Sequence, residues 1–150
     1  MNALLKIQTS LKVKKSRYNT FGRFHYRSCE DILEAVKPLL ADVGACLTFA
    51  EEVFQLGDRL FVRSTAKLLA DEQEYSSTGV AGLSFDRISD SAQAAGAATS
   101  YARKYALCGL LLIDDGEDND SIQPASAAPA APDVPAAVKP LPPPPGGIKK

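Results

Sequence analysis

The sequence holds 150 residues, 45% of them apolar, which is enough for one hydrophobic core with segments left over. It excludes a membrane span, since no apolar run nears the roughly 18 residues needed, and the opening MNALLKIQTSLK has neither the long apolar centre nor the small-residue cleavage site of a secretory signal. A net charge of −1 and a pI of 5.8 do not suggest a nucleic-acid binder, yet residues 1–113 hold 14 Lys/Arg against 12 Asp/Glu, and residues 114–150 hold 3 against 6.

In chain order, ALLKIQTSLKV (residues 3–13) sets Leu4, Ile7 and Leu11 at helical spacing and predicts a short amphipathic helix. Lys12, Lys14, Lys15, Arg17, Arg23 and Arg27 come next with no acidic residue among them, interleaved with Tyr18, Phe21, Phe24, His25 and Tyr26. Cations neutralise phosphates and aromatic faces stack bases, so this composition suits single-stranded nucleic acid. It suits equally a basic loop whose aromatics anchor it to the core. His25 has no carboxylate or cysteine beside it in sequence and is not read as catalytic.

Ser28-Cys29-Glu30-Asp31 reads as a capping-box variant that opens a helix, with Glu30 and Asp31 suited to the positive end of its dipole. Ile32, Val36, Leu39, Leu40 and Val43 form its apolar stripe, and Gly44 fits the C-cap. Pro38 predicts a bend, or an end near Lys37. The carboxylates of Glu30, Asp31 and Glu34 are explained by the helix start and are not taken as a catalytic cluster.

From Ala45 the pattern turns to strands. Cys46–Phe49 and Val53-Phe54 are β-prone, and Gln55-Leu56-Gly57-Asp58 signals a turn. Arg59 to Leu68 alternates, with Arg59, Arg63, Thr65 and Lys67 on one face and Leu60, Val62, Ser64, Ala66 and Leu68 on the other. Asp71-Glu72 is a second turn, and Glu74–Phe85 a weaker strand in which Gly79 and Gly82 suggest a bulge or a close backbone approach. The basic face of the middle strand is a candidate DNA surface or an ordinary solvated face. Asp86 to Asp90 is a loop, with Ser89 or Asp90 as N-cap of the long helix beyond it.

Ala92 to Ile113, AQAAGAATSYARKYALCGLLLI, has no proline and predicts a helix of about six turns. At 100° per residue, Ala94, Ala97, Ala98, Tyr101, Tyr105, Cys108 and Leu112 share one side, and Gln93, Gly96, Ser100, Arg103 and Lys104 lie roughly opposite. The second half, from Ala106, is apolar all round and predicts burial on most faces. Small residues and cations at the other end suit close approach to a backbone, of protein or of nucleic acid; a plain core helix with two solvated charges is the other reading.

Asp114 to Asp120, DDGEDND, offers oxygen donors to a hard cation, but Gly116 comes too early for an EF-hand and no distal Glu is present. A solvated acidic segment, competing with phosphate for the basic surface, is the alternative. Residues 121–150 hold nine prolines and seven alanines, too little apolar area to offset ordering entropy, and predict a disordered tail. Cys29, Cys46 and Cys108 are scattered without CxxC spacing, which predicts reduced, buried thiols and neither disulfides nor zinc.

SYARKYALCGLLLIDDGEDND resembles the signature of the phage ERF (essential recombination function) single-strand annealing proteins, in which a Ser-Tyr-Ala-basic-basic-Tyr-Ala-Leu core leads into apolar residues and an Asp-rich run. YNTFGRFHYRSCEDILEAVKPLL, Tyr18 to Leu40, resembles the N-terminal block of that family, and the likeness spans Leu4 to Asp120. Asp86 to Asp90 is an imperfect match to the expected lead-in.

The resemblance implies an α+β core in which a three-stranded antiparallel sheet packs with the long helix (order β-β-β-α), flanked by N-terminal helices. It implies an annealing domain at 1–120 with the tail at 121–150. It also implies ATP-independent annealing of complementary single strands in phage recombination, in a bacterial cytoplasm and without a cofactor, a metal or enzymatic chemistry. The absence of GxxxxGK[ST] agrees with this. Expected partners are single-stranded DNA and further copies in a ring or helical filament. The tail would offer a site for a host single-strand binding protein or a phage exonuclease. Arg23, Tyr26, Arg27, Arg63, Lys67, Tyr101, Arg103 and Lys104 are the expected DNA contacts. A passive single-strand coat, a metal-dependent nuclease using the acidic residues, and a structural oligomer remain as alternatives.

Overall fold

A computed structural model describes residues 2–85 and 90–114. Along the chain lie α1 (Ala3–Ser10), β1 (Arg17–Asn19), β2 (Phe24–Tyr26), α2 (Cys29–Val43), β3 (Cys46–Leu56), β4 (Arg59–Ala70), β5 (Gln73–Leu83) and α3 (Ser91–Leu111). β1 and β2 form a small antiparallel hairpin, and β3-β4-β5 an antiparallel meander in that order. The expected α+β architecture is therefore present. The acidic residues from Asp115 onward and the Pro/Ala-rich segment lie outside the described residues.

Each helix starts on a side-chain cap. Asn2 accepts from the Leu4 and Leu5 amides, and Asp90 accepts from those of Ala92 and Gln93. At α2 the capping box closes in both directions: Ser28 Oγ accepts from the Asp31 amide, and Asp31 accepts from the Ser28 amide. Gly44 ends α2 in the left-handed region. Pro38 lies inside this helix, which does not end near Lys37, one of the two outcomes expected of it. Pro38 and Glu34, whose carbonyl loses its donor, are both exposed, so water serves the carbonyl.

The meander is tightly joined. Leu56 pairs with Arg59 across Gly57-Asp58, and Ala70 with Gln73 across Asp71-Glu72, two non-glycine residues with φ of 50° and 62°. Val62, Ser64, Ala66, Leu68 and Ala70 are buried on one face of β4, as the alternation predicts. α3 lies across this face, over β5 and β4. A Cβ added to Gly79 would stand 2.2 Å from the Ala102 carbonyl oxygen and 2.5 Å from the Ala106 nitrogen. Gly79 is thus a contact point of strand and helix backbones rather than a bulge, and Gly82, the other glycine of β5, meets nothing within 4 Å.

That contact sets the rotation of α3. Its buried residues are Ala94, Ala98, Ala102, Ala106, Leu107, Leu110 and Leu111. The expected stripe through Tyr101, Tyr105, Cys108 and Leu112 is displaced, for Tyr105 and Leu112 are exposed. Bulk would hold the helix off the sheet, so the smallest residues take the buried side and the tyrosines leave it. The main core sits where Ile7, Ile32, Val36, Leu68, Leu107 and Leu111 meet. Among the cysteines only Cys29 is buried; Cys46 is exposed on the open face of β3 and Cys108 half-buried, and all three are thiols.

Candidate nucleic-acid interface

Eight residues are expected to contact DNA, and the fold distributes them over four places. Arg103 and Lys104 project from the middle of α3. Arg103 reaches over β3: its Nε donates to Glu51 Oε1 at 2.6 Å, and its guanidinium carbon lies 5.0 Å from the centre of the Phe49 ring. Phe49 and Glu51 are two apart on β3, so both point to the helix side of the sheet. The same Oε1 accepts from the hydroxyl of Ser64, fully buried opposite Glu51 on β4. The guanidinium holds the Glu51 carboxyl below the usual carboxylate range, against burial, and the carboxylate raises Arg103 in return.

Lys104 lies toward the start of α2. Burial pushes the Cys29 thiol up to about 11 with help from Glu30, while the nearby Arg103 and Lys104 charges pull it down. The two cations of α3 thus share a neighbourhood with the first turn of α2. Tyr101 is half-buried on the side of α3 away from Arg103, its ring 6.1 Å from that of exposed Tyr105. On the face of α3 that carries Arg103 sit Gly96 and Ser100, both exposed. Below them Val53, two positions beyond Glu51, is 60% exposed on the helix side of β3. This end of the helix–strand junction therefore carries small residues on the helix and an exposed apolar residue on the strand.

Arg23 and Tyr26 belong to the β1–β2 hairpin, directly ahead of α2. Arg23 is exposed, with φ of 56°, in the turn between the strands; Tyr26 is half-buried, its ring 6.2 Å from Phe24 and edge-on. Phe21, in the same turn, is 84% exposed, the most exposed of the large apolar residues among those described. The hairpin is fastened to α2 through Arg17, whose Nε donates to Asp31 at 2.8 Å. This bond holds the Asp31 carboxyl down to about 2, with the Ser28 hydrogen bonds adding to it and burial opposing.

Arg27 occupies a different environment from the exposed contact expected of it. It is only 7% exposed; one Nη donates to the Val13 carbonyl at 2.6 Å and the other to that of Asp114, while Nε is buried without a partner. Arg27 ties the linker after α1 to the segment after α3, with both Nη groups engaged there.

Arg63 and Lys67 lie on the far side of the sheet. Their face of β4 points away from α3, Arg63 pairs with Glu52 across the strands, and Lys67 Nζ is 2.9 Å from Glu74. Arg63 also lies 4.3 Å from the centre of the Phe54 ring, which stacks on Phe61 at 5.5 Å. Sequence reasoning missed Glu51, although an acid in the alternation Leu47, Phe49, Glu51, Val53 is the signal that finds it once β3 is read as one strand. It missed the Phe54–Phe61–Arg63 cluster too, which arises from a two-residue turn that brings the two aromatics opposite each other.

Among the described residues no three of His, Cys, Asp and Glu gather as a metal site, and no helix is long and apolar enough to cross a membrane. No solved structure matches the chain. It is similar to the "Essential recombination function protein" of Salmonella phage P22, 45% identical over 131 residues that cover 85% of this chain and 63% of that protein. The chain therefore spans a little under two thirds of the length of that relative. The ERF superfamily model matches residues 1–139, which runs past the boundary expected at 120. With nearly its whole length matched, the chain belongs to the ERF superfamily.

Proposed function

We propose that this chain binds single-stranded DNA and promotes pairing of complementary strands in phage recombination, without ATP. Membership of the ERF superfamily and the recombination function for which the phage P22 relative is named support a role in recombination. The observation that carries the finer reading is the pair Arg103 and Lys104 on α3, with exposed Gly96 and Ser100 on the helix face that carries Arg103. A phosphate backbone can approach a small-residue helix face closely, and two cations there offset the repulsion between two strands. Arg23, Tyr26 and exposed Phe21 at the hairpin supply a cation and aromatic faces on the path leading into α2. Tyr101 takes a secondary place, since it leaves α3 on the side away from Arg103. Arg63 and Lys67 also take a secondary place in this reading, because the sheet separates them from α3. Arg27 acts from within, holding the linker. Assembly of several copies in a ring or filament, and docking of a host single-strand binding protein or an exonuclease on residues 121–150, belong to the same proposal, as does action in the bacterial cytoplasm.

The test is the annealing rate of two complementary oligonucleotides without ATP, across a salt series. Acceleration that weakens as salt rises is expected. Arg103→Ala with Lys104→Ala should lower affinity and reduce the salt slope by about 1.4, from about 0.7 per phosphate contact on a single strand. The circular dichroism spectrum should not change. Binding without acceleration would leave a passive coat protein, and magnesium-dependent loss of the oligonucleotide would favour a nuclease.

A further inference from the structure

Glu51 poses a problem for a phosphate-binding surface at Arg103. An acid on the helix-facing side of a strand, beside the residue proposed to meet phosphate, should weaken binding by simple charge repulsion. Its geometry gives it another role. Glu51 receives Arg103 through Nε, the atom at the base of the guanidinium fork. A hydrogen bond there leaves the opposite edge, the two Nη groups, oriented together and able to bind a phosphate through parallel N–H donors. Phe49 lies under the flat face of the same group at 5.0 Å. Ser64, fully buried, donates to Glu51 at 3.3 Å and ties the carboxylate to the middle strand. An arginine side chain otherwise gives up much rotamer freedom on binding. Here face and base are both held before any ligand arrives, while the side chain stays 38% exposed.

We infer that Glu51, tethered by Ser64, is a positioning residue that presents the outer edge of Arg103 to a nucleic-acid phosphate. The inference rests on the reading of Arg103 as a DNA contact. It opposes the simpler view that Glu51 stands in for phosphate and must be displaced.

The two views predict opposite signs. Binding of the full chain to labelled oligothymidylate would be measured across a KCl series for wild type, Arg103→Ala, Glu51→Ala, Glu51→Asp and the Arg103→Ala/Glu51→Ala double variant. Positioning predicts that Glu51→Ala weakens binding about three- to tenfold although a negative charge is removed, and adds nothing once Arg103 is gone. Glu51→Asp keeps the charge but draws the carboxylate back by one methylene; it should weaken binding as well, and it carries the test alone if Glu51→Ala does not fold. Equal or tighter binding by Glu51→Asp, or tighter binding by Glu51→Ala, overturns the positioning role while leaving the reading of Arg103 intact. A further loss in the double variant overturns it also, since Glu51 would then act through the fold. Wild-type affinity and salt slope in Arg103→Ala overturn both, because Arg103 would then meet no phosphate.

Discussion

The two faces of the β3-β4-β5 sheet come from the same strands and alternate residue by residue, yet they obey different rules. The face under α3 buries Val62, Ser64, Ala66, Leu68 and Ala70 of β4, and on it Ser64 is committed to Glu51 and Glu51 to Arg103. The opposite face keeps large side chains in solvent, with Leu56, Leu69 and Val80 exposed and Arg63 and Lys67 in surface pairs. Surface pairs of that kind contribute about 0–1 kcal/mol. Partner for partner the ion pairs look alike. Only the pair on the helix face has a buried hydroxyl behind it, which is why the same residue types, on opposite sides of one sheet, are assigned different work.

Glycine on β5 gives the sharpest contrast. Gly79→Val should cost about 3 kcal/mol or more, because the new carbon meets helix backbone that cannot turn aside. Gly82→Val, three residues away on the open face, should lie between neutral and about 1 kcal/mol stabilising. Thermal melts of the two variants compare the faces directly, and equal losses would mean that α3 can lift off the sheet cheaply. Adjacent leucines on β4 come next in size. Leu68→Ala should cost about 2–5 kcal/mol, and Leu69→Ala, on the other face and half exposed, should stay within about 0.5 kcal/mol, both read from urea midpoints.

Acid should produce the smallest effect. The Glu51 carboxyl is held below its ordinary 4.5 by Arg103, and that of Asp31 below its ordinary 3.8, at about 2, by Arg17. A depressed carboxyl stabilises the fold fully above its unfolded value and loses that contribution as pH falls through the folded value. The urea midpoint should therefore fall as the pH drops from about 5 toward about 2. Glu51→Gln and Asp31→Asn should each make that decline shallower; an unchanged decline would show that neither pair matters to stability.

Much of this fold was legible in the residues themselves. The cap at Ser28, the stop at Gly44, the β4 alternation and both hairpin turns are local signals, and local chemistry decides them. Pro38 and the rotation of α3 were not legible in the same way. Pro38 survives because its lost hydrogen bond faces water. The rotation depends on Gly79, which lies 23 residues before Ala102 in the chain, and periodicity within a helix carries no trace of a glycine on the strand beneath it. The cations fared likewise. Composition could gather Arg23, Arg27, Arg63, Lys67, Arg103 and Lys104 into one basic set, but only the fold reveals that Arg27 is inside and that a sheet stands between Arg63 and Arg103.

The strand order has a consequence for how the sheet comes apart. β4 is hydrogen-bonded along both edges, whereas β3 and β5 each have a neighbour on one side within the sheet. Half of the amides on β3 point outward from the meander, and only the helix side of β5 is weighed down, by α3. Opening should then be graded, with β3 exchanging before β4, which releases its amides last, at a free energy close to that of global unfolding. Within the sheet, the strand that carries Ser64 should exchange its amides more slowly than the one that carries Glu51. The contact between them joins the most persistent part of the sheet to the part that breathes.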